Sequence, residues 1–180
     1  GACRLCGVEV EGRGLVMSCN TPVQENANFL TNTFIVQSSR QTALELLLVD
    51  HPNECLTCAA NNDCELLKVS NFVGVDKERL GRMRKPGIVH QIDNSNPFFS
   101  FDPNKCILCG ICVRTCDEIQ GVRAIDFVNR GYDTVIGVFG GLTFKDSICE
   151  SCGECVARCP VGSLAKKEYR APSYEVESVC

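Results

Sequence analysis

CILCGICVRTC at residues 106–116 and CESCGECVARCP at residues 149–160 are two copies of one pattern, CxxCxxCxxxC. Three cysteines at three-residue steps place three thiols on one tight turn, and a fourth thiol follows four residues later. Gly110 and Gly153 occupy the same place in the two copies, where the lack of a Cβ lets the backbone approach a bound group closely. The repeat therefore predicts two related sites built from thiolates.

The doubled spacing is typical of 4Fe-4S ligation, in which the last cysteine of each copy binds the other cluster. We therefore predict two crossed ligand sets, Cys106, Cys109, Cys112 and Cys159 for one cluster, and Cys149, Cys152, Cys155 and Cys116 for the other. Pro160 follows Cys159 as the pattern requires, whereas Asp117 follows Cys116, so the first copy departs from the pattern there. Zinc and disulfides are the alternatives, but three cysteines at these steps leave a surplus for a tetrahedral zinc site.

A third group of ligand-type residues lies upstream and consists of His51, Cys55, Cys58 and Cys64. It offers one imidazole and three thiolates. A neutral imidazole in place of a thiolate lowers the negative charge of a cluster, so we expect a raised reduction potential. The position of the group just before the doubled motif favours a third 4Fe-4S cluster, and a Cys3His zinc site is the alternative.

The first group, Cys3, Cys6 and Cys19, supplies three of the four thiolates that a 2Fe-2S cluster needs. We expect the fourth ligand on residues upstream of Gly1; alternatively, the three cysteines are a structural remnant. Cys180, the last residue, is by itself more typical of an ordinary thiol than of a ligand.

Composition excludes several classes of protein. Fifteen of the 180 residues are cysteine, which fits either a disulfide-stapled secreted scaffold or a protein built around metals. Residues 1–14 contain no apolar signal core and no stretch reaches the length of a membrane span, so we expect a reducing, cytoplasmic compartment without membrane insertion. The net charge of −4, without a basic stripe, argues against nucleic acid as a partner.

The chain predicts an α+β fold. A helix is expected at residues 41–49 with Ser38 or Ser39 as its cap, and a second helix near Asp63. Strands at residues 124–128 and 134–138 flank a turn at residues 129–131 and form a hairpin insertion between the cysteine repeats.

A basic stretch at residues 79–86 and a polar, turn-rich one at residues 93–97 indicate a boundary near 85–95. We accordingly predict a partial 2Fe-2S ferredoxin-like domain (1–34), a helical His-Cys3 module (35–90), a two-cluster 4Fe-4S ferredoxin domain (91–170) and a linker (171–180).

The order of these groups resembles the N-terminal electron-input region shared by molybdenum or tungsten formate dehydrogenase catalytic subunits, iron-only hydrogenases and the large iron–sulfur subunit of respiratory NADH:quinone oxidoreductase. The stretches that carry the resemblance are GACRLC (1–6), HPNECLTC (51–58), NPFF (96–99), CILCGICVRTCDEIQG (106–121) and CESCGEC (149–155). The respiratory subunit usually lacks the complete second repeat, so the resemblance favours the other two groups.

In the formate dehydrogenase type, Cys180 resembles the cysteine that opens a further 4Fe-4S site before a molybdopterin domain. The resemblance then implies an electron relay between a flavin/NAD-type or ferredoxin redox partner, docked near the 2Fe-2S end, and a formate dehydrogenase centre beyond Cys180. The alternatives are the electron-input arm of an iron-only hydrogenase and a free-standing multi-cluster carrier. No catalytic residue is expected within the chain itself, since Asp117, Glu118 and Glu154 are interpreted as solvated charges.

Overall fold

The computed structural model describes residues 2–84 and 87–167. Its backbone contacts form two units, one of residues up to 50 together with 67–84, and one of residues 51–66 together with 87–167. Both units mix short strands with helices, as the sequence predicts. No helix in the described ranges is long and apolar enough to cross a membrane.

The first unit begins with a three-stranded antiparallel sheet. Its strands are β1 (Gly7–Val10), β2 (Gly14–Met17) and β3 (Phe29–Leu30), in the order β2-β1-β3. β1 and β2 form a hairpin in which Gly7 lies opposite Met17 and Val10 lies opposite Gly14. The residues just before β1 and just after β2 are therefore brought to the same end of the hairpin.

Helix α1 (Phe34–Leu48) starts earlier than the sequence predicts, and the prediction of Ser38 or Ser39 as its cap is wrong. The cap is Thr33, whose hydroxyl oxygen accepts a hydrogen bond of 3.4 Å from the Val36 backbone N–H. The first helical turn was not predicted because its large apolar side chains, Phe34 and Ile35, are exposed and so do not follow the helical periodicity of a buried face.

Two further helices follow, α2 (Glu65–Val73) and α3 (Lys77–Met83). The first confirms the helix expected near Asp63, whereas α3 was not predicted and overlaps the basic stretch, before the boundary expected near 85–95. The Asp76 carboxylate caps α3 by accepting from the Arg79 backbone N–H at 3.0 Å. The fully buried Glu45 of α1 pairs with the Arg79 side chain and accepts from the Asp76 backbone N–H at 3.0 Å, which fixes α3 against α1.

The second unit contains four strands and two short helices: β4 (Phe99–Phe101), α4 (Ile111–Arg114), β5 (Ile125–Val128), β6 (Val135–Val138), α5 (Glu154–Ala157) and β7 (Leu164–Lys166). β4 pairs antiparallel with β7, so the segments before the first cysteine repeat and after the second lie side by side. β5 and β6 form the predicted hairpin, with Ile125 opposite Val138.

An apolar core underlies the cysteine repeats. Phe144 packs edge-to-face against Phe99, with ring centroids 5.2 Å apart, and against Phe101 at 5.6 Å. Cys112 and Cys155 belong to the same buried cluster of side chains. The thiols on α4 and α5 are therefore anchored in the core of this unit rather than carried on exposed loops.

Candidate metal centres

The two cysteine repeats have the same backbone conformation. Leu108 and Ser151, the residues two after the first cysteine of each repeat, both have a positive φ, 54° and 58°. Gly110 and Gly153 also lie in the left-handed region, at 68° and 79°, and each begins the short helix that follows. Non-glycine residues in this region are uncommon, and their matched occurrence is typical of a functional loop.

Backbone N–H groups in these loops are directed at thiol sulfurs. Leu108 donates to the Cys106 Sγ at 3.4 Å, and Ala124 donates to the Cys116 Sγ at 3.2 Å. A hydrogen bond from the Ser151 backbone reaches the Cys149 thiol in the same way. Such donors stabilise the thiolate form of cysteine and tune the potential of a cluster that it binds.

One predicted ligand set lines a single cavity of the second unit. The cavity walls include Cys116, Cys149, Cys152 and Cys155, together with core residues such as Phe99 and Ile125. Cys116 reaches the cavity from the π-helical turn Thr115–Ile119, which follows α4. The last cysteine of the first repeat thus lies with the first three of the second, as the crossed assignment predicts, and its role as a ligand stays a prediction.

The other predicted set is also gathered, as the interactions between its thiols indicate. Burial raises the pKa of both Cys106 and Cys109, and the nearby Cys159 thiol raises each further. Burial raises the pKa of Cys112, and together with a smaller effect of neighbouring thiols it brings the value to about 12; these thiols are Cys106, Cys109, Cys155 and Cys159. The interaction with Cys155 means that the two predicted cluster sites adjoin through the thiols of α4 and α5.

The His51 group occupies the start of the second unit. The 3-10 turn Cys55–Thr57 follows His51, and the Cys58 backbone N–H donates to the Cys55 carbonyl at 3.3 Å. Cys58 is buried, while His51, Cys55 and Cys64 are partly buried. The group therefore offers its four side chains from one loop that ends at the start of α2.

This loop packs directly against the end of the second cysteine repeat. The Glu65 backbone N–H donates to the Pro160 carbonyl oxygen at 2.9 Å. A Cβ added to Gly162 would overlap the Cys58 Sγ and would lie 3.4 Å from the Ala60 backbone nitrogen. Gly162 was not among the residues predicted from the sequence, although a glycine three residues after the last cysteine of a repeat can indicate a close approach of two segments.

The first group of cysteines lies at the open end of the β1–β2 hairpin. The Cys6 carbonyl accepts from the Ser18 backbone N–H at 3.1 Å, which brings Cys19 beside Cys6. A hydrogen bond from the Cys19 backbone, with a smaller contribution from its thiol, lowers the pKa of Cys6. Cys3 and Cys19 are exposed. Cys180, the proposed ligand of a further cluster, lies outside the described residues.

Two observations of this structure fit iron–sulfur clusters as the bound groups. Four thiols line one cavity, and backbone N–H groups are directed at cysteine sulfurs. In residues 2–84 and 87–167, no group of three or more histidine, cysteine or acidic side chains is gathered closely enough to hold a single metal ion. A cuboidal cluster makes a different demand, since each of its four thiolates binds a different iron.

Comparison with known protein families gives two matches within the chain. Residues 40–79 match the NADH-ubiquinone oxidoreductase-G iron–sulfur binding region, and residues 105–163 match a 4Fe-4S dicluster domain. The first match contains the His51 group and the second contains both cysteine repeats. The chain therefore has a 4Fe-4S dicluster module preceded by an iron–sulfur binding segment of the NADH-ubiquinone oxidoreductase-G type.

Individual relatives extend this similarity over nearly the whole chain. The NADP-reducing hydrogenase subunit HndD of Solidesulfovibrio fructosivorans is 39% identical over 171 residues, which is 93% of this chain and 28% of that protein. The NADH-ubiquinone oxidoreductase 75 kDa subunit of Reclinomonas americana is 36% identical over 181 residues, 99% of this chain and 25% of that protein. The chain thus spans only about a quarter of these two curated relatives.

A solved structure agrees with the sequence comparisons. A chain of an NAD+-reducing [NiFe]-hydrogenase in the H2-reduced state superposes with a TM-score of 0.82 at 30% sequence identity. The match covers 93% of this chain and 70% of that chain. None of these three relatives is named as a formate dehydrogenase.

Proposed function

The chain belongs to the NADH-ubiquinone oxidoreductase-G family of iron–sulfur subunits, which includes those of NAD-reducing hydrogenases, and on that premise we propose that it is a relay with three 4Fe-4S sites in a defined order. The His51 group holds the first site, the set completed by Cys159 holds the second, and the set completed by Cys116 holds the third. Clusters bound there supply one-electron transfer.

The observation that carries the order is the packing of Cys58 against Gly162. Together with the hydrogen bond between Glu65 and Pro160, it supports a direct junction between the His51 loop and the segment that follows Cys159. The junction lies one to three residues after Cys159, the cysteine that completes the second site, and this supports the second site as the neighbour of the His51 site. Cys112 and Cys155 supply the next junction, because their buried thiols interact across α4 and α5.

We also propose a 2Fe-2S site at the hairpin end formed by Cys6 and Cys19, with Cys3 as a third ligand. The support is the shared end of the hairpin and the hydrogen bond that favours the thiolate of Cys6. A residue upstream of Gly1 would supply the fourth ligand. Electrons from a flavin/NAD-type subunit or a ferredoxin would arrive at this site.

The acceptor is proposed to be a catalytic domain or subunit beyond residue 180. Two candidates stand side by side: a hydrogenase, which the names of two relatives support, and the molybdopterin formate dehydrogenase centre that the sequence resemblance implies. The residues that follow Cys180 in the natural protein distinguish the two candidates, since a CxxC motif that continues from Cys180 favours the molybdopterin formate dehydrogenase. An intact mass that ends at Cys180 in the native protein would instead favour a free-standing carrier.

The relay is tested by anaerobic iron and sulfide quantification with EPR of the reduced protein, in wild type, His51→Ala and Cys19→Ala. About twelve irons, with one EPR signal altered in His51→Ala, are expected for three 4Fe-4S sites, and about two more, lost in Cys19→Ala, for the 2Fe-2S site. About eight irons with bound zinc and no response to His51→Ala would overturn the His51 site and leave a two-cluster ferredoxin with a zinc-bound appendage.

A further inference from the structure

Asn61 stands out among the polar residues of the His51 loop because it is buried without a partner. Its side chain is 4% exposed, and neither its Nδ2 nor its Oδ1 has a hydrogen-bond partner in the part of the chain that the structure describes. Its neighbours Asn62 and Asp63 are exposed. The two polar side chains that follow Asn61 in the loop therefore reach water, whereas that of Asn61 does not.

A buried amide without partners is costly. Leaving such a group unsatisfied costs about 1–3 kcal/mol, and most buried polar side chains in proteins are hydrogen-bonded. An apolar side chain of similar size at residue 61 would avoid this cost. An amide at this buried position therefore suggests a partner outside the polypeptide.

The position of Asn61 identifies the chemistry of that partner. The residue lies between Cys58 and Cys64, and its backbone N–H donates to the Cys58 carbonyl at 3.1 Å. Cys58 is itself buried, at 8% exposed. A site formed by these thiolates carries negative charge on sulfur, which accepts hydrogen bonds and repels the amide oxygen. The amide nitrogen, not the oxygen, is therefore the atom that would face it.

The same chain uses N–H donors toward sulfur at the other sites, where Leu108 and Ala124 donate to Cys106 and Cys116. Those donors are backbone groups. In the His51 loop, the side chain of Asn61 is a donor that the protein fold leaves unused.

We propose that Asn61 donates a hydrogen bond from Nδ2 to a sulfur of the iron–sulfur group at the His51 site and thereby raises its reduction potential. The inference rests on the proposed function, since it requires an iron–sulfur group at that site. Reduction adds negative charge to the sulfur atoms, so a donor fixed at a buried position stabilises the reduced form more than the oxidised form. Asn61 is a tuning residue and not a ligand.

The test is an EPR-monitored redox titration of the loaded protein, in wild type, Asn61→Asp and Asn61→Leu. The signal of the His51 site is identified as the one altered in His51→Ala. Both variants keep the approximate shape of asparagine but remove the N–H donor. We expect each to shift the reduction equilibrium of that site about tenfold toward the oxidised form, about 59 mV for one electron, with unchanged iron content.

Asn62→Leu is the matched control, because this neighbouring amide is exposed and is expected to leave the potential unchanged. Full iron content with an unshifted potential in both Asn61 variants would overturn the inference while leaving the relay intact. Absence of iron from the His51 site in wild type would instead overturn the proposed function.

A structure of the cluster-loaded wild type provides a measurement that needs no variant. It decides the question if the Asn61 variants fail to assemble the site. We expect the Asn61 Nδ2 within hydrogen-bonding distance of a cluster sulfur. An ordered water or a protein group bonded to both amide atoms, with no sulfur in reach, would contradict the inference.

Discussion

The backbone N–H of Glu65 donates a hydrogen bond of 2.9 Å to the carbonyl oxygen of Pro160. Glu65 directly follows the last cysteine of the His51 group, and Pro160 directly follows the last cysteine of the ferredoxin repeats. Two motifs that are far apart in sequence are therefore joined residue to residue at their ends. A one-electron relay requires short distances between neighbouring sites, and in the proposed relay this junction makes the His51 site the neighbour of the site that Cys159 completes.

The junction between the His51 loop and the end of the second cysteine repeat depends on the small size of Gly162. We expect Gly162→Ala to lower the iron content by about four per chain and to remove the EPR signal of the His51 site. The added methyl group would overlap the Cys58 Sγ. The Ala60 backbone nitrogen lies 3.4 Å from the added carbon and limits how far that carbon can move away from the sulfur. The measurement is iron quantification with EPR of the reduced protein.

Gly87→Ala is the control for this change, because a Cβ added there has no atom within 4 Å and its φ is not positive. It is expected to retain all its iron. The iron content of wild type and an unchanged spectrum in Gly162→Ala would mean that Cys58 and Gly162 are not in contact in the loaded protein.

The crossed ligand sets predict a pattern of losses in double variants. Cys116→Ala and Cys149→Ala change two thiols that line one cavity, so each should remove about four irons, and their combination should also remove only about four. Cys116→Ala combined with Cys106→Ala should remove about eight, because the two thiols belong to different sites.

The exposed Glu118, two residues after Cys116, supplies the control Glu118→Ala, which should keep its full iron content. The crossed assignment is wrong if the Cys106/Cys116 pair behaves as one site and the Cys116/Cys149 pair as two.

The hairpin insertion, and the placement of Cys116 with the second repeat and of Cys159 with the first, could be expected from the sequence, because spacing and repetition are properties of local segments. That these cysteines are cluster ligands stays a prediction. The junction between Glu65 and Pro160 could not, since it joins residues nearly a hundred positions apart and neither carries a distinctive side-chain role. The burial of the Asn61 side chain without a hydrogen-bond partner among the described residues could not be predicted either, because an asparagine in a cysteine-rich loop is ordinarily solvated.

The helix boundaries show a similar limit. Phe34 and Ile35 are apolar but exposed, so the apolar pattern of the buried face did not extend to the true start of α1 at Phe34, just after its cap Thr33. The α3 helix did carry a local signal, the capping residue Asp76, but the basic residues that follow were interpreted as indicating a domain boundary near 85–95. What holds α3 is the buried carboxylate of Glu45, a contact that only the folded chain reveals.

Arg79 is accordingly expected to stabilise the first unit. Arg79→Met would leave the Glu45 carboxylate fully buried without its ionic partner, and we expect a loss of about 2 kcal/mol in the free energy of unfolding. The expected loss lies below the roughly 3–5 kcal/mol typical of a fully buried pair, because 38% of the Arg79 side chain reaches solvent. Urea denaturation of the loaded protein measures it.

Arg82→Met is the comparison, since Arg82 pairs with Glu78 at 3.9 Å and both side chains are largely exposed. It should have little effect, because exposed ion pairs contribute little. Equal midpoints for the two variants would show that the pair of Glu45 and Arg79 does not hold α3.

Thiol titration provides a pH test on the cluster-free protein. Burial raises the pKa of Cys112 and of Cys155 to about 12, whereas a hydrogen bond from the Cys19 backbone lowers that of Cys6. At pH 8 we expect Cys6 to be alkylated faster than either buried thiol, with the rates of the buried thiols still rising above pH 9. Mass spectrometry of the alkylated peptides measures the order.

The sign for stability follows from the same shifts. The folded pKa values of Cys112 and Cys155 lie above the ordinary value of 9.0, so the folded cluster-free form loses stability as the pH rises from 9.0 toward about 12. Cluster assembly must release these protons, since the ligand is the thiolate. Equal alkylation rates for the three thiols without denaturant, as expected in urea, would contradict the shifts.

The ligand type at His51 predicts a change in potential without a change in iron. His51→Cys replaces a neutral imidazole with a thiolate and adds one negative charge to the site, so the reduced form is destabilised and the potential should fall by on the order of 100 mV. His90→Ala is the control, because the hydrogen bonds of His90 to Asn104 involve its backbone rather than its ring. An EPR-monitored redox titration with iron quantification separates the outcomes. A fall in the potential of one cluster at constant iron would identify His51 as its ligand, whereas full iron content with unchanged potentials would require that cluster to be held without the imidazole.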